Sequence, residues 1–170
     1  MAYDYDKLYG ETKNALGKPT QAFVDFFEQI ETENARVLDV GCGQGRDALF
    51  IARKGHNVVG VDLSANGVKD LIASAHKEEL SVEGVVADIT TYRPDGLFDF
   101  VLIDRTLHML PEMARLSVLE RLLGHVNETG WVLIADEVSN IAGFKNVISN
   151  HHFDWVVEFS KRGYLFVRCS

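Results

Sequence analysis

The 170-residue chain is 46% apolar and 25% charged, with a formal net charge of −8, the balance of a globular domain with one core rather than of a disordered or membrane-spanning chain. No stretch of about 18 apolar residues occurs, so no bilayer span is expected; Lys and Arg are scattered, which disfavours a nucleic-acid partner, since that would need a basic patch. Only Cys42 and Cys169 are present, too few and too far apart for a disulfide framework or a zinc ribbon.

In chain order, the first segment, 1–18, is acidic and aromatic and lacks the basic-then-apolar pattern of a leader, so a cytoplasmic location is expected. Its Tyr3, Tyr5 and Tyr9 read either as a lid whose rings cover a bound ligand and exclude water or as an untethered tail. Residues 19–170 are expected to form a single domain. Pro19 starts a helix with the apolar stripe Ala22, Phe23, Phe26, Phe27 and Ile30. Short apolar runs then alternate with helical patterns, at 36–40, 57–61, 82–87, 98–103 and 131–135. Near-continuous apolar strands separated by helices predict a parallel sheet covered on both faces.

The helices between them have local signals. Ala48, Leu49, Ile51 and Ala52 form a stripe ended by Gly55. Ser64 is an N-cap for the segment holding Val68, Leu71, Ile72 and Ala75. Pro111 sits at a first helical position before Leu116, Leu119, Leu122 and Leu123, with Gly124 as the stop. The last two runs, 153–159 and 164–167, are joined by Ser160-Lys161-Arg162-Gly163. A connection that short makes a hairpin, so the final strand runs antiparallel. The fold class is α/β, a doubly wound and mostly parallel seven-stranded sheet with an antiparallel last strand.

The chemistry concentrates in Val37-Leu38-Asp39-Val40-Gly41-Cys42-Gly43-Gln44-Gly45-Arg46-Asp47. A buried strand ends there in a turn containing Gly41, Gly43 and Gly45, which lets a ligand approach the backbone. The next strand ends in Asp62, where a carboxylate is placed to bond both hydroxyls of a ribose. A dinucleotide fits less well. Its fingerprint wants glycine where Arg46 stands, and Asp39 and Asp47 would repel a diphosphate while suiting an ammonium or a sulfonium. Asp47 also has a simpler reading, as a complement to the helix dipole.

With Val58-Val59-Gly60-Val61-Asp62, this stretch resembles the first two motifs of class I S-adenosylmethionine methyltransferases. The resemblance continues through Val86-Ala87-Asp88, Phe98-Asp99-Phe100-Val101 and Leu107-His108-Met109-Leu110-Pro111. It implies a Rossmann-like methyltransferase fold with S-adenosylmethionine as cofactor. It also implies that Asp88 meets the adenine amino group, beside an apolar cover from Leu63 or Ile89. Tyr5-Asp6-Lys7-Leu8-Tyr9, Gly43 to Arg46, and Lys161-Arg162-Gly163 are similar to the tellurite-resistance group, and the thiopurine-type small-molecule enzymes are related in kind. Asp47 stands where that group usually has Asn, and Lys161 where it usually has His.

Ligands of open α/β sheets bind beyond the carboxyl ends of the parallel strands. That edge holds Asp104, which is expected to bind the methionine ammonium or the acceptor. It also holds His108, either a general base or a residue packing against the cofactor. His56 and the pair His151-His152 fall at the opposite edge. Neighbours on a strand point to opposite faces, which argues against a metal site at the histidine pair. Arg162, with Lys161 or Arg46, is expected to hold a small anionic acceptor, whereas Arg168 lies about 20 Å away along the last strand. The reading is methyl transfer to a small-molecule acceptor, a thiol or small anion being favoured because no dedicated base declares itself. A cofactor-binding protein of this fold without catalysis (a sensor or a subunit) and a nucleotide-cofactor oxidoreductase are the other readings. The oligomeric state is not legible.

Overall fold

The computed structural model describes residues 3–170. The chain divides into two compact units, Met1–Ile89 and Thr90–Ser170, and its seven strands belong to one mixed, mostly parallel sheet.

The first unit contains helices α1 (Tyr5–Glu11) and α2 (Gln21–Gln29), then β1 (Arg36–Val40), α3 (Arg46–Arg53), β2 (Asn57–Asp62), α4 (Ala65–Lys77) and β3 (Val82–Val86). Its strands run in the order β3-β2-β1, all parallel, with Val40 opposite Val61 and Asp62 opposite Val86. That register brings the carboxyl ends to one level. Val37, Leu38, Val40 and Val61 are fully buried, as the unbroken apolar runs require, and each such side chain contributes about 1.5–3 kcal/mol. Ser64 caps α4 as expected, its hydroxyl accepting the Gly67 amide at 2.9 Å. Helix α2 begins two residues later than expected: Thr20 is its N-cap, and Pro19 stands outside the helix.

The N-terminal segment is not an untethered tail across its described part. Asp4 caps α1 by accepting the Lys7 amide at 3.0 Å, and the helix packs on α4. The expectation for 1–18 also covers Met1 and Ala2, which lie outside the described residues.

The second unit contains β4 (Phe98–Asp104), a 3-10 turn (Leu107–Met109), α5 (Glu112–Leu123), β5 (Val126–Ala135), α6 (Val138–Asn150), β6 (Trp155–Lys161) and β7 (Tyr164–Cys169). Its strand order is β4-β5-β7-β6. β4 and β5 are parallel, and β7 is antiparallel to both β5 and β6, as the short final connection demands. β5 starts at Val126 rather than 131, because its register against β4 shifts between Phe98 and Phe100, where Thr129 takes a left-handed backbone. Pro111 is the N-cap of α5, not its first residue, with ψ 152°. His151 and His152 are not on a strand. His151 ends α6, and the two rings lie 4.2 Å apart.

Candidate cofactor turn and acceptor cavity

The glycine turn is closed upon itself. The amides of Gly41 and Cys42 both donate to Val61 O, at 2.7 and 3.0 Å, and the Gly45 amide donates to Cys42 O at 2.9 Å. The Gly43 amide donates to Asp62 Oδ2 at 2.8 Å, and the Ser64 amide donates to Oδ1 of the same carboxylate at 2.8 Å. Anion cradles of this kind work by aiming free amides at phosphate oxygens. Here the amides of residues 41, 42, 43 and 45 are spent within the protein, so the turn is unsuited to a pyrophosphate.

What the turn offers instead is carboxylates and close access to the backbone. Asp39 is buried in β1, half-buried Asp62 ends β2, and exposed Asp88 follows β3. Exposed Leu63 (72%) and Val86 (53%) stand beside them, with half-buried Ile89 close in sequence. This set fits a ligand with hydroxyls, an amino group, a flat apolar ring and a cationic centre, which are the parts of S-adenosylmethionine. Cys42 does not add a nucleophile, because burial, reinforced by Asp39 and Asp62, pushes its thiol well above the ordinary value. Asp47 lies in the first turn of α3, where the helix-dipole reading puts it, but it does not face solvent. It is buried, and its Oδ1 accepts the Thr20 amide at 3.2 Å while Arg46 lies 3.6 Å from Oδ2.

The N-terminal segment is fastened to this turn. Tyr9 is buried, and a Cβ on Gly43 would meet the Tyr9 hydroxyl at 2.7 Å. Burial, then the charge of Asp62, raises the Tyr9 phenol far above its usual range. Tyr5 lies 6.0 Å from Tyr9 and Tyr3 4.9 Å from Tyr5, ring to ring. Asp6 accepts from the Ser64 hydroxyl at 2.6 Å and the Asn66 amide at 3.0 Å, so it serves the N-terminus of α4 from outside that helix. Gln44 donates to Thr12 O at 2.7 Å and to Asp70 at 2.8 Å, and accepts from the Ala15 amide at 2.9 Å. Neither Asp6 nor Gln44 was singled out by sequence reasoning. The only available signal was their place inside motifs already noticed.

The second unit holds a separate cavity of about 470 Å³ lined by Arg105, His108, Asp136, Glu137, Val138, Arg162, Gly163 and Tyr164. His108 and Arg162, expected from sequence to carry chemistry, therefore share one cavity. Asp136 builds its walls. Its Oδ2 accepts the His108 amide at 3.1 Å. Its Oδ1 accepts the Glu137 amide at 2.8 Å and Asn140 Nδ2 at 2.7 Å. Its own amide donates to Gly163 O at 2.9 Å. Asp104 ends β4 and is buried. Lys161 is exposed at the end of β6 and is not among the lining residues. Arg168 pairs with Glu158 at 2.8 Å, away from the cavity. Arg105 and Asp136 are the lining residues that sequence reasoning missed. Both directly follow a strand at the productive edge, and that position was the available signal.

His56 is structural, since its Nδ1 accepts the buried Ala35 amide at 3.1 Å. His151 Nδ1 accepts from the Phe153 amide and from Trp155 Nε1. No cluster of metal-ligating side chains occurs among the described residues, and no helix among them is long and apolar enough to cross a membrane.

The methyltransferase domain family matches residues 37–130. A probable S-adenosyl-L-methionine-dependent methyltransferase, TehB, of Haemophilus influenzae is 29% identical over 61% of the chain and 36% of its own length. Phosphoethanolamine N-methyltransferase 3 of Arabidopsis thaliana is 34% identical over 78% of the chain and 27% of its own length. The chain thus spans well under half the length of these relatives. Among solved structures, magnesium protoporphyrin IX methyltransferase (ChlM) from Synechocystis PCC 6803 with bound SAM superposes with a TM-score of 0.71 at 16% identity, covering 99% of both chains. At that identity the likeness shows the fold alone.

Proposed function

The chain belongs to the methyltransferase domain family, and from that premise we propose that it is an S-adenosylmethionine-dependent enzyme that methylates a small molecule, a thiol or small anion being favoured. The observation that carries the reading is the self-bonded glycine turn beside Asp62, which turns away a diphosphate and leaves carboxylates for a cationic, ribose-bearing cofactor. When bound, S-adenosylmethionine supplies a methyl group already activated on a sulfonium.

The protein's task is to bind, orient and exclude water. Gly41, Gly43 and Gly45 admit the cofactor to the backbone. Asp62, held rigid by two amides, accepts the ribose hydroxyls. Asp88 accepts from the adenine amino group, with Leu63 and Ile89 covering the ring. Asp39 serves the positive charge of the methionine end, and Arg46 flanks the turn. The described part of the N-terminal segment, residues 3–18, acts as a cover over this turn, a role supported by the Tyr9 and Gln44 contacts. The acceptor occupies the cavity at Arg162 and His108. His108 accepts the proton of a neutral acceptor, a step that a thiolate does not need. Alignment for displacement can supply up to about 7–11 kcal/mol. The small-molecule reading is supported by the name of one relative, phosphoethanolamine N-methyltransferase.

Calorimetry with S-adenosylhomocysteine and with a nicotinamide dinucleotide tests the cofactor, and turnover against thiols, oxyanions and amines tests the activity. Micromolar binding of the homocysteine product with turnover of one class is expected. Preferential dinucleotide binding would overturn the reading. Product binding with no turnover on any acceptor would mark the chain as a sensor or a subunit instead.

A further inference from the structure

Two arginines of the cavity have left-handed backbones. Arg105, the residue after β4, has φ +50°, and Arg162, which opens the β6–β7 turn, has φ +55°. Only six non-glycine residues among those described have positive φ, and two of them line this one cavity. A side chain with a Cβ pays for that conformation where glycine does not. Strain of this kind gathers at ligand clamps, where the surrounding structure holds it in place.

Arg105 is anchored directly at the carboxyl end of β5, and Arg162 through its neighbour Gly163. The Arg105 amide donates to Ala135 O at 2.7 Å, and the Asp136 amide donates to Gly163 O at 2.9 Å. β5 lies between β4 and β7, so the two stems rise on opposite sides of it. Two strand spacings, about 10 Å, separate them, a span that two long guanidinium side chains close upon one ligand. At Gly163 any Cβ would lie 2.1 Å from Asp136 O. That close approach needs glycine and holds Arg162 against the cavity. The Asp136 carboxylate keeps its charge in the same lining, but its oxygens are held by the Glu137 amide, Asn140 and the His108 amide, so its bonds go to these neutral donors rather than to either guanidinium.

We propose that Arg105 and Arg162 form a two-guanidinium clamp for an oxyanion, a carboxylate or phosphate group, carried by the methyl acceptor. This rests on the methyltransferase reading above. Guanidinium groups match such anions with paired, charge-assisted hydrogen bonds. Glu137, on the α6 side of the same cavity, repels a second anionic group, so the clamp selects acceptors with a single anionic end.

The test uses the full chain saturated with S-adenosylhomocysteine and inorganic phosphate as probe, followed by calorimetry; acetate in parallel separates a phosphate-bearing from a carboxylate-bearing acceptor. Arg105→Gln and Arg162→Gln should each weaken binding of the preferred anion at least tenfold. Arg105→Lys should recover only part of the loss, because it keeps the charge and loses the paired geometry. Arg168→Gln should change nothing. Wild type that binds neither anion, or an Arg105→Gln variant that binds like wild type, overturns the clamp. S-adenosylhomocysteine affinity on the same samples keeps the two readings apart: its absence in wild type defeats the methyltransferase reading, and its presence without an anion response defeats the clamp alone.

Discussion

The Gly43 amide donates to Asp62 Oδ2 across 2.8 Å, joining the turn after β1 to the carboxylate that ends β2. The Ser64 amide holds the other oxygen at the same distance. Each carboxylate oxygen keeps a lone pair for a ligand hydroxyl, and neither can swing away. Much of the cofactor reading depends on that fixed carboxylate.

Asp62→Ala should therefore lose ligand contacts and turn rigidity together. S-adenosylhomocysteine binding should weaken by about 1.5–3 kcal/mol, the scale of a hydrogen bond to a charged group. Calorimetry on the folded variant checks this, and unchanged affinity would remove the ribose assignment.

Gly43→Ala meets two obstacles at once, a φ of +51° and the Tyr9 hydroxyl 2.7 Å from the new Cβ. It should lower stability by about 1–3 kcal/mol. Tyr9→Phe removes the nearest atom, leaving the next at 3.1 Å. The double variant should accordingly recover part of the loss in a chemical-denaturation cycle. Additive effects would show that Tyr9 is not the obstacle.

Asp88 is exposed just beyond β3, where a carboxylate can accept from an amino group on a ring. Wild type should prefer adenosyl over inosyl analogues of the cofactor product, and Asp88→Asn should lose part of that preference. Competition binding reads it directly; equal affinities in wild type would show that the contact is absent.

Docking of the N-terminal segment should fail in acid. Hydrogen bonds from Ser64 and Asn66 hold the Asp6 carboxyl below its ordinary value of 3.8. Burial would raise Asp70, but bonds from Lys13 and Gln44 outweigh it and hold that carboxyl below 3.8 as well. A carboxyl depressed in the folded state stabilises fully above its unfolded pKa, and that contribution is lost as pH falls through the folded value. Protection of residues 5–15 against hydrogen exchange, measured relative to the intrinsic rate at each pH, should stay high above about pH 5 and fall below about pH 4. Asp6→Asn should expose the segment at neutral pH and flatten this acid limb. Identical profiles in the two proteins would contradict the assignment.

Asp136→Ala strands three donors, the amides of Glu137 and His108 and the side chain of Asn140. Stability should fall by about 2–4 kcal/mol, less than the about 1–3 apiece of fully buried donors, because all three bonds are only part-buried and water can reach the donors. With an acceptor in hand, kcat/KM should fall at least tenfold while S-adenosylhomocysteine affinity holds. A loss of stability with unaltered kcat/KM would leave Asp136 a purely structural brace.

The sequence by itself determined the strands of the sheet, the glycine turn, the Asp62 position and the antiparallel last strand. Each is written in neighbouring residues: apolar runs of strand length, glycines where φ is positive, and a connection too short for anything but a hairpin. Helix α1 was not legible, because in seven residues the spacing of Tyr5, Leu8 and Tyr9 covers barely two turns, too little to establish a helical period. Only the tertiary structure decided which distant groups meet. Asp47 turned to the Thr20 amide, 27 residues earlier, instead of to a ligand or to solvent. Gln44 reached back to Thr12 and Ala15, and Asp136 tied three segments into one cavity wall. Arg105 joined Arg162 there because β4 and β7 flank β5. Such pairings depend on side-chain direction and on segments remote in the chain, and hydrophobic periodicity, which records only the face a residue buries, does not encode them.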